Sequence, residues 1–223
     1  MSRRGWLLVA GFVLVVNTVQ WLVSEAVVAA AWTDPSYSYA ANYISDLGVP
    51  DCGTEFQGRT ICSPQHAWMN AAFMAEGLLF AIAVVLLSRL VEGRVRRIVV
   101  ALGIAHGVGM VLVGLFHGSG GGLDAGLLIH GGGAAVGILC ANTLAIMAGT
   151  LRGLGLPTTY RRFSLAAGIL GLVSETLVGV STATAGLFER GGVYSWLLWG
   201  AATGALLLVR NRHRVPVVQY VSA

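Results

Sequence analysis

The chain has 223 residues, of which 56% are hydrophobic and only 11% are charged. Soluble domains carry about 25% charged residues, so this composition excludes a water-soluble globular fold and makes lipid the solvent for much of the chain. The formal net charge is +4. The basic residues are all arginines, most of them in short clusters between apolar runs. That pattern is typical of membrane topology signals, so we expect no nucleic-acid partner.

Six apolar runs are long enough to cross a bilayer core of roughly 30 Å as α-helices. They predict an all-α fold, an integral membrane bundle of six transmembrane helices that forms a single domain over residues 1–223. The predicted spans are 6–32, 68–90, 98–116, 125–150, 163–188 and 193–209.

The first of these runs has an alternative interpretation as a cleavable signal peptide. Arg3 and Arg4 precede it, and it ends in the small residues 29–31. The run is, however, longer than the roughly 7–15 residues of a usual signal core. It also carries Asn17 and Gln20, which suit a packed helix. We therefore predict that it is retained as an uncleaved first span.

Arginine placement predicts the orientation of the bundle. With six spans, all arginines except Arg59 and Arg190 fall on one side of the membrane. The positive-inside rule makes that side cytoplasmic. Both termini are therefore predicted in the cytoplasm (N-in/C-in), and we expect a multi-pass protein of the plasma (inner) membrane.

The longest segment outside the spans is the first external loop, residues 33–67. Disulfides persist outside the cytoplasm, so Cys52 and Cys62 are predicted to form a bridge, the alternative being two free thiols. Tyr43 belongs to a tyrosine-rich stretch that suits the membrane interface. Asp46 has two interpretations, as the cap of a short helix or turn and as a site carboxylate at the outer mouth of the bundle.

Four polar residues fall near the bilayer centre, where such groups are costly and face a bundle interior or a wet cavity. In one interpretation they form a structural cluster, in which a buried Glu is neutral or pairs with a His. In the other they form a proton or ion path. These residues are Asn17, Glu76, His106 and Glu175.

A second polar layer falls near the outer surface. Histidines and carboxylates together are typical of an acid–base or metal site, and interfacial capping or hydrogen bonding is the alternative. No HExxH motif is present, and the sequence identifies no metal and no cofactor. A bis-His haem is disfavoured because His106 has no partner at matched depth. The candidate catalytic residues are Asp46, His66, His117 and His130, and the candidate ligand-binding residues are Tyr43, Asn70 and Glu189.

Glycines at helical spacing predict close packing between helices rather than chemistry. Gly103 with Gly107, and Gly133 with Gly137, form small-xxx-small pairs. The fifth predicted span carries the longest stripe, made of Gly168, Gly171, Glu175, Gly179, Thr182, Gly186 and Glu189.

Several short motifs occur together along the chain. They are Ser45-Asp46-Leu47-Gly48 in the first external loop, Asn70 at the start of the second span, Gly114-Leu115-Phe116-His117 at the end of the third, His130-Gly131 in the fourth and Glu189-Arg190 after the fifth. This arrangement resembles a bacterial and archaeal membrane protein family known as domain of unknown function 998. The likeness runs from the first span to the sixth. It implies a six-span topology and no particular activity.

Three functional hypotheses follow from these patterns. The first is an enzyme or binding protein for a lipid or lipid-linked substrate at the outer leaflet, with the external loop as a lid over the outer polar layer. The second is an ion- or proton-coupled transporter that uses Glu76, His106 and Glu175. The third is a non-catalytic subunit that packs against other membrane subunits through its glycine stripe. In all three the lipid bilayer is the principal partner.

Overall fold

A computed structural model describes residues 2–117 and 124–212 of the chain. Residues 118–123 and 213–223 lie outside the described part, and they include Arg214, which contributed to the predicted orientation. Within the described residues the fold has six long α-helices. They are α1 (Arg3–Ala31), α2 (His66–Leu87), α3 (Gly93–Leu115), α4 (Ala125–Thr150), α5 (Thr158–Leu177) and α6 (Ala185–Arg212).

The six helices form a closed ring. Each packs on the next along the chain, α6 returns to α1, and α4 also contacts α6. Neighbouring helices run antiparallel: Gly77 lies against Gly107, and Asn70 lies against Gly114, in the α2–α3 pair. The start of α1 and the end of α6 consequently lie at the same end of the ring. We call this the arginine end, because all described arginines except Arg59 and Arg190 lie at it.

Five segments of the described chain are long and apolar enough to cross a membrane. The helix α5 is outside this group, since it carries Arg161, Arg162 and Glu175. Its outward face is nevertheless apolar, and Leu170 is 59% exposed. The protein is therefore a multi-pass helical membrane protein. The five segments are Arg3–Ala31, His66–Leu90, Gly93–Leu115, Ala125–Thr150 and Thr182–Asn211.

The fifth predicted span, 163–188, is wrong as a single helix. The helix α5 ends at Leu177, a 3-10 helix follows at Thr182–Thr184, and α6 begins at Ala185. The connecting residues are rich in Gly, Ser, Thr and Val, which have lower helix propensity than Ala or Leu. The stripe predicted from Gly168 to Glu189 is therefore divided between two helices, and a Cβ added at Gly179 would meet no neighbouring atom of the described residues within 4 Å.

Glycine pairs set the closest approaches between helices. A Cβ on Gly77 would lie 2.6 Å from the carbonyl oxygen of Gly107, and one on Gly109 would come equally close to the carbonyl of Gly133. The predicted packing role of Gly107 and Gly133 is confirmed. Side chains at these positions would force the helices apart, so the sequence here requires the smallest residue.

The connection between α1 and α2, residues 32–65, folds into a compact cap over one end of the ring, which we call the cap end. It contains a 3-10 helix at Ser45–Gly48 and a small antiparallel hairpin of β1 (Thr54–Phe56) and β2 (Arg59–Ile61). The hairpin was not expected in an all-α fold. Its two-residue turn has positive φ at Gln57 and Gly58, as a type I′ turn requires. The predicted Cys52–Cys62 disulfide is present and closes the hairpin at its base.

Candidate functional site

Asp46 is held inside the cap by an ion pair. Arg59 Nε lies 3.0 Å from Asp46 Oδ2, and Asp46 is only 3% exposed. The same carboxylate accepts hydrogen bonds from Asn42 Nδ2 at 3.2 Å and from the backbone N–H of Tyr43 at 3.0 Å. Asp46 therefore organises the turn that begins the 3-10 helix. Its oxygens are occupied by donors of the cap itself.

Tyr43 packs beside the same ion pair. The Arg59 guanidinium lies 4.3 Å from the centre of the Tyr43 ring, and the Tyr43 hydroxyl donates a hydrogen bond to Gln57 at 3.1 Å. Partial burial raises the pKa of the Tyr43 hydroxyl, so this side chain stays neutral at ordinary pH. Tyr43 therefore contributes a hydrogen bond and a cation–π contact within the cap.

A second buried arginine, Arg190 of α6, joins the cap to the helices. Its guanidinium lies 2.9 Å from Glu25 of α1, and the two side chains are 6% and 1% exposed. Arg190 also donates hydrogen bonds to the backbone carbonyls of Tyr39 and Asn42 and to the Tyr37 hydroxyl. Burial raises the pKa of Tyr37, which is neutral here. Neither Glu25 nor Arg190 was among the residues predicted for a site, although opposite charges near the outer ends of two spans were a signal for such a pair.

A small cavity lies directly beneath the cap, at the centre of the ring. Its volume is about 20 Å³, and its polar lining comes from Ser45, His130 and Glu189. Trp21 also lines it, and the Trp21 indole N–H has no hydrogen-bond partner among the described residues. A space of this size holds about one water molecule. The structure thus brings together His130 and Glu189, two of the seven predicted outer-layer residues.

The orientation of the His130 ring is fixed by backbone carbonyls. His130 Nδ1 lies 2.7 Å from the carbonyl oxygen of Phe116 and 3.2 Å from that of Val113. A carbonyl only accepts, so Nδ1 carries the proton and Nε2 is the basic nitrogen of the neutral ring. The carboxylate of Glu189 accepts a hydrogen bond from the backbone N–H of Ile44. The His130 imidazole and the Glu189 side chain therefore line the same small cavity.

The remaining outer-layer residues lie at the ends of α2 and α3, next to the cap. His66 Nδ1 lies 3.0 Å from the carbonyl oxygen of Ser63 at the start of α2. Asn70 donates to the carbonyl of Gly48 at 2.8 Å and so ties α2 to the cap. His117 follows the end of α3, and its Nδ1 has no hydrogen-bond partner among the described residues. No group of three His, Cys, Asp or Glu in the described chain is placed to bind a metal.

At mid-depth the structure forms a fully buried carboxylate–imidazole pair. His106 Nε2 lies 3.0 Å from Glu76 Oε2 and 3.1 Å from Glu76 Oε1, and both residues are 0% exposed. His106 Nδ1 donates to the carbonyl of Gly137 at 2.9 Å, and Asn17 Nδ2 donates to Glu76 Oε1 at 3.0 Å. The rings of Phe80 and Trp196 cover His106 at centroid distances of 4.1 and 4.9 Å. The aromatic walls exclude water from the pair.

The cavity and the buried pair are neighbours along the ring axis. Phe73 and Met110 line the cavity. Each lies about one helical turn from a member of the pair, Phe73 from Glu76 on α2 and Met110 from His106 on α3. One turn corresponds to a rise of about 5 Å. Two sites with titratable side chains are thus stacked, one above the other, inside the bundle.

Glu175 does not join this stack through any hydrogen bond in the described residues. It lies on α5 against α6, where a Cβ on Gly192 would come 2.9 Å from its Oε2 atom. That oxygen has no hydrogen-bond partner among the described residues. Of the four residues predicted near the bilayer centre, Asn17, Glu76 and His106 form one cluster and Glu175 stands apart from it.

The ring of apolar helices, the folded cap and the buried polar pair define a multi-pass helical membrane protein. The chain belongs to the family described as Protein of unknown function (DUF998), which matches residues 15–206. The resemblance noted in the sequence is therefore confirmed. No curated protein and no solved structure matches the chain significantly.

Proposed function

We propose that this protein binds protons at the Glu76–His106 pair and moves them across the membrane. The observation that carries the proposal is that pair itself, a carboxylate and an imidazole 3.0 Å apart with no exposed surface. Ionisable groups inside a membrane bundle are expensive, and proton relays are among their main uses.

The pair is suited to hold one exchangeable proton. His106 Nδ1 is already committed to Gly137, so the proton in question lies between His106 Nε2 and the Glu76 carboxyl. With that proton the pair is neutral overall, and without it a net negative charge is left in a low-dielectric site. A proton can therefore leave only as another proton or a cation arrives, which is the behaviour expected of a coupling site.

The cavity beneath the cap supplies the outer part of the path. His130 and Glu189 both line a space large enough for about one water molecule. A proton taken up there is about one helical turn from the pair. Transfer over that last distance requires the aromatic side chains between the two sites to admit water or to move aside.

We also propose the membrane orientation that the arginines predict. The bundle would have six spans, with α5 as the fifth. It would lie in the plasma (inner) membrane, with the cap outside and both termini in the cytoplasm. Protons from the external side would then meet the cap-end cavity first. A reporter fused after residue 223 tests this, since it must be active in the cytoplasm and inactive outside.

The lipid hypothesis has less support from this geometry. A cavity of about 20 Å³ holds no lipid head group, and Arg190 and Asn70 tie the cap to the helices. A lipid or lipid-linked substrate at the outer leaflet would need the cap to be displaced. The proton-handling function needs no such movement, and we prefer it for that reason.

The test is proton flux into liposomes. The full chain is reconstituted in vesicles that contain a pH-sensitive dye, and a potassium diffusion potential drives proton entry. We expect the wild type to acidify the lumen faster than protein-free vesicles do. The variants Glu76→Gln and His106→Asn should reduce that rate at least about tenfold. Glu175→Gln is the matched control, because it neutralises a membrane carboxyl outside the pair, and its rate should stay within about twofold of the wild type.

Two results would overturn the proposal. One is a wild-type flux equal to that of empty vesicles. The other is a wild-type flux that persists in Glu76→Gln and His106→Asn when both variants melt at the wild-type temperature. If either variant fails to fold, infrared spectra of the wild type at different pH values decide. They must show a protonation change of a buried carboxyl group, and its absence rejects the pair as a proton site.

A further inference from the structure

Two adjoining cavities open at the arginine end of the ring, opposite the cap. They share walls formed by leucines of the α2–α3 and α4–α5 connections and of α6, among them Leu90, Leu154 and Leu207. One cavity reaches toward the centre of the bundle, and the other lies at its mouth. Because they share these walls the two cavities adjoin, and they differ strongly in chemistry.

The inner cavity is apolar. It has a volume of about 120 Å³ and is lined mainly by aliphatic side chains, including Val84, Leu144 and Ala148. Two hydroxyl groups in its wall, those of Tyr160 and Thr203, bond to each other at 2.7 Å. For comparison, an engineered apolar cavity of about 150 Å³ binds benzene. The inner cavity therefore suits a short length of hydrocarbon.

The outer cavity is basic. Its volume is about 280 Å³, and Arg3, Arg4, Arg210 and Asn211 contribute its polar lining. No acidic residue lines it in the described chain. Arg210 Nη1 donates to the carbonyl of Gly155 at 3.0 Å, which fixes its guanidinium at the mouth and leaves further N–H donors on the same group. Three guanidinium groups around one opening favour an anion, and they favour phosphate in particular.

We propose that the joined cavities bind one anionic phospholipid, with its phosphate on Arg3, Arg4 and Arg210 and the end of an acyl chain in the inner cavity. The charged outer cavity and the apolar inner cavity match the order of phosphate and acyl chain in a lipid of the leaflet at the arginine end. Basic pockets between membrane helices are known to hold anionic head groups. This site lies at the opposite end from the cap-end cavity, and it does not depend on the proton proposal.

Native mass spectrometry of the full chain in mild detergent tests the site. Phosphatidylglycerol and phosphatidylcholine with identical acyl chains are compared at equal concentration. We expect one phosphatidylglycerol to be retained per protein and phosphatidylcholine to bind at least about tenfold more weakly. The triple variant Arg3→Gln, Arg4→Gln, Arg210→Gln should lose that preference, since each arginine near a head group contributes about a fivefold factor.

The matched control removes the same charge from the same end of the bundle. Arg94, Arg96 and Arg97 are exposed at the start of α3 and do not line either cavity, so their replacement by Gln should leave the preference intact. Equal losses in the two triple variants would mean that overall surface charge attracts the lipid, and the site would be rejected. An absence of preference in the wild type would reject it as well.

A separate variant tests the hydrocarbon half of the site. Ala148→Phe fills the inner cavity and leaves the arginines in place. It should weaken retention of long-chain phosphatidylglycerol at least about fivefold and leave a short-chain analogue unaffected. Unchanged long-chain binding would show that no acyl chain enters the cavity. Because this variant keeps every arginine, it tests lipid binding in the inner cavity even if the triple variant does not fold.

Discussion

His106 Nε2 lies 3.0 Å from Glu76 Oε2, and neither residue exposes any surface. The pair is held from both sides, by Gly137 on the imidazole and by Asn17 on the carboxylate. Breaking a buried pair by removing one partner is strongly destabilising, because the other partner is left with an uncompensated charge. Replacing both partners with apolar residues is often neutral. The energetic role and the functional role of the pair can therefore be separated by experiment.

We predict that His106→Leu lowers the free energy of unfolding by about 3–5 kcal/mol, whereas the double variant Glu76→Leu, His106→Leu regains most of that loss. The measurement is thermal unfolding of the purified chain in mild detergent. Proton flux should be absent in both variants, since neither retains the shared proton. A double variant no more stable than the single one would contradict the assignment of an ion or proton pair here.

Arg190 should be the main anchor of the cap. Arg190→Met leaves Glu25 buried without its partner and frees the cap carbonyls of Tyr39 and Asn42. We expect the free energy of unfolding to fall by about 3–5 kcal/mol, and backbone amides between residues 36 and 49 to exchange hydrogen faster. Arg190→Lys should rescue only part of this, because an ammonium group lacks the planar fork of donors. Arg94→Gln, at an exposed position, should change neither quantity.

Much of the helical framework could be predicted from the sequence, because it depends on local patterns. Apolar runs located five of the helices. The i, i+3, i+7 spacing of Asn17, Gln20 and Ser24 in the sequence predicts that the three side chains share one face of α1. The structure confirms that face, since all three side chains bond to α2. The disulfide followed from the environment expected for the two cysteines.

The contacts that organise the site could not be predicted in the same way, because they join distant parts of the chain. Glu25 and Arg190 are separated by 165 residues, and periodicity carries no information on such a pairing. The histidines illustrate the same limit. Depth alone grouped His66, His117 and His130, but only His130 turns into the cap-end cavity. The break after Leu177 was missed because an apolar composition continues through it.

The Cys52–Cys62 bridge should stabilise the cap rather than the whole bundle. For a sequence separation of 10, loop-closure entropy gives about 2.5 kcal/mol. We predict that reduction, or the double variant Cys52→Ser, Cys62→Ser, increases hydrogen exchange in the hairpin and leaves exchange in α3 and α4 unchanged. Cys140→Ser is the control and should alter neither region. Faster exchange throughout the helices would mean that the cap and the bundle unfold as one unit.

Close helix packing gives the last prediction, which compares the same substitution at two glycines. In Gly77→Ala the new Cβ would lie 2.6 Å from the carbonyl oxygen of Gly107 and 2.8 Å from Met110 Cβ. Both contacts are with the backbone or Cβ atoms of α3, so α2 and α3 must separate. We therefore expect the free energy of unfolding to fall by about 1–3 kcal/mol. In Gly131→Ala the new Cβ meets nothing within 4 Å. Alanine also favours the helix by up to about 1 kcal/mol there, so that variant should be as stable as the wild type or more so. The comparison cancels the intrinsic helix propensity of alanine. Any difference in melting temperature between the two variants therefore reports the contact between Gly77 and Gly107, and equal melting temperatures would show that the two helices do not pack at this distance.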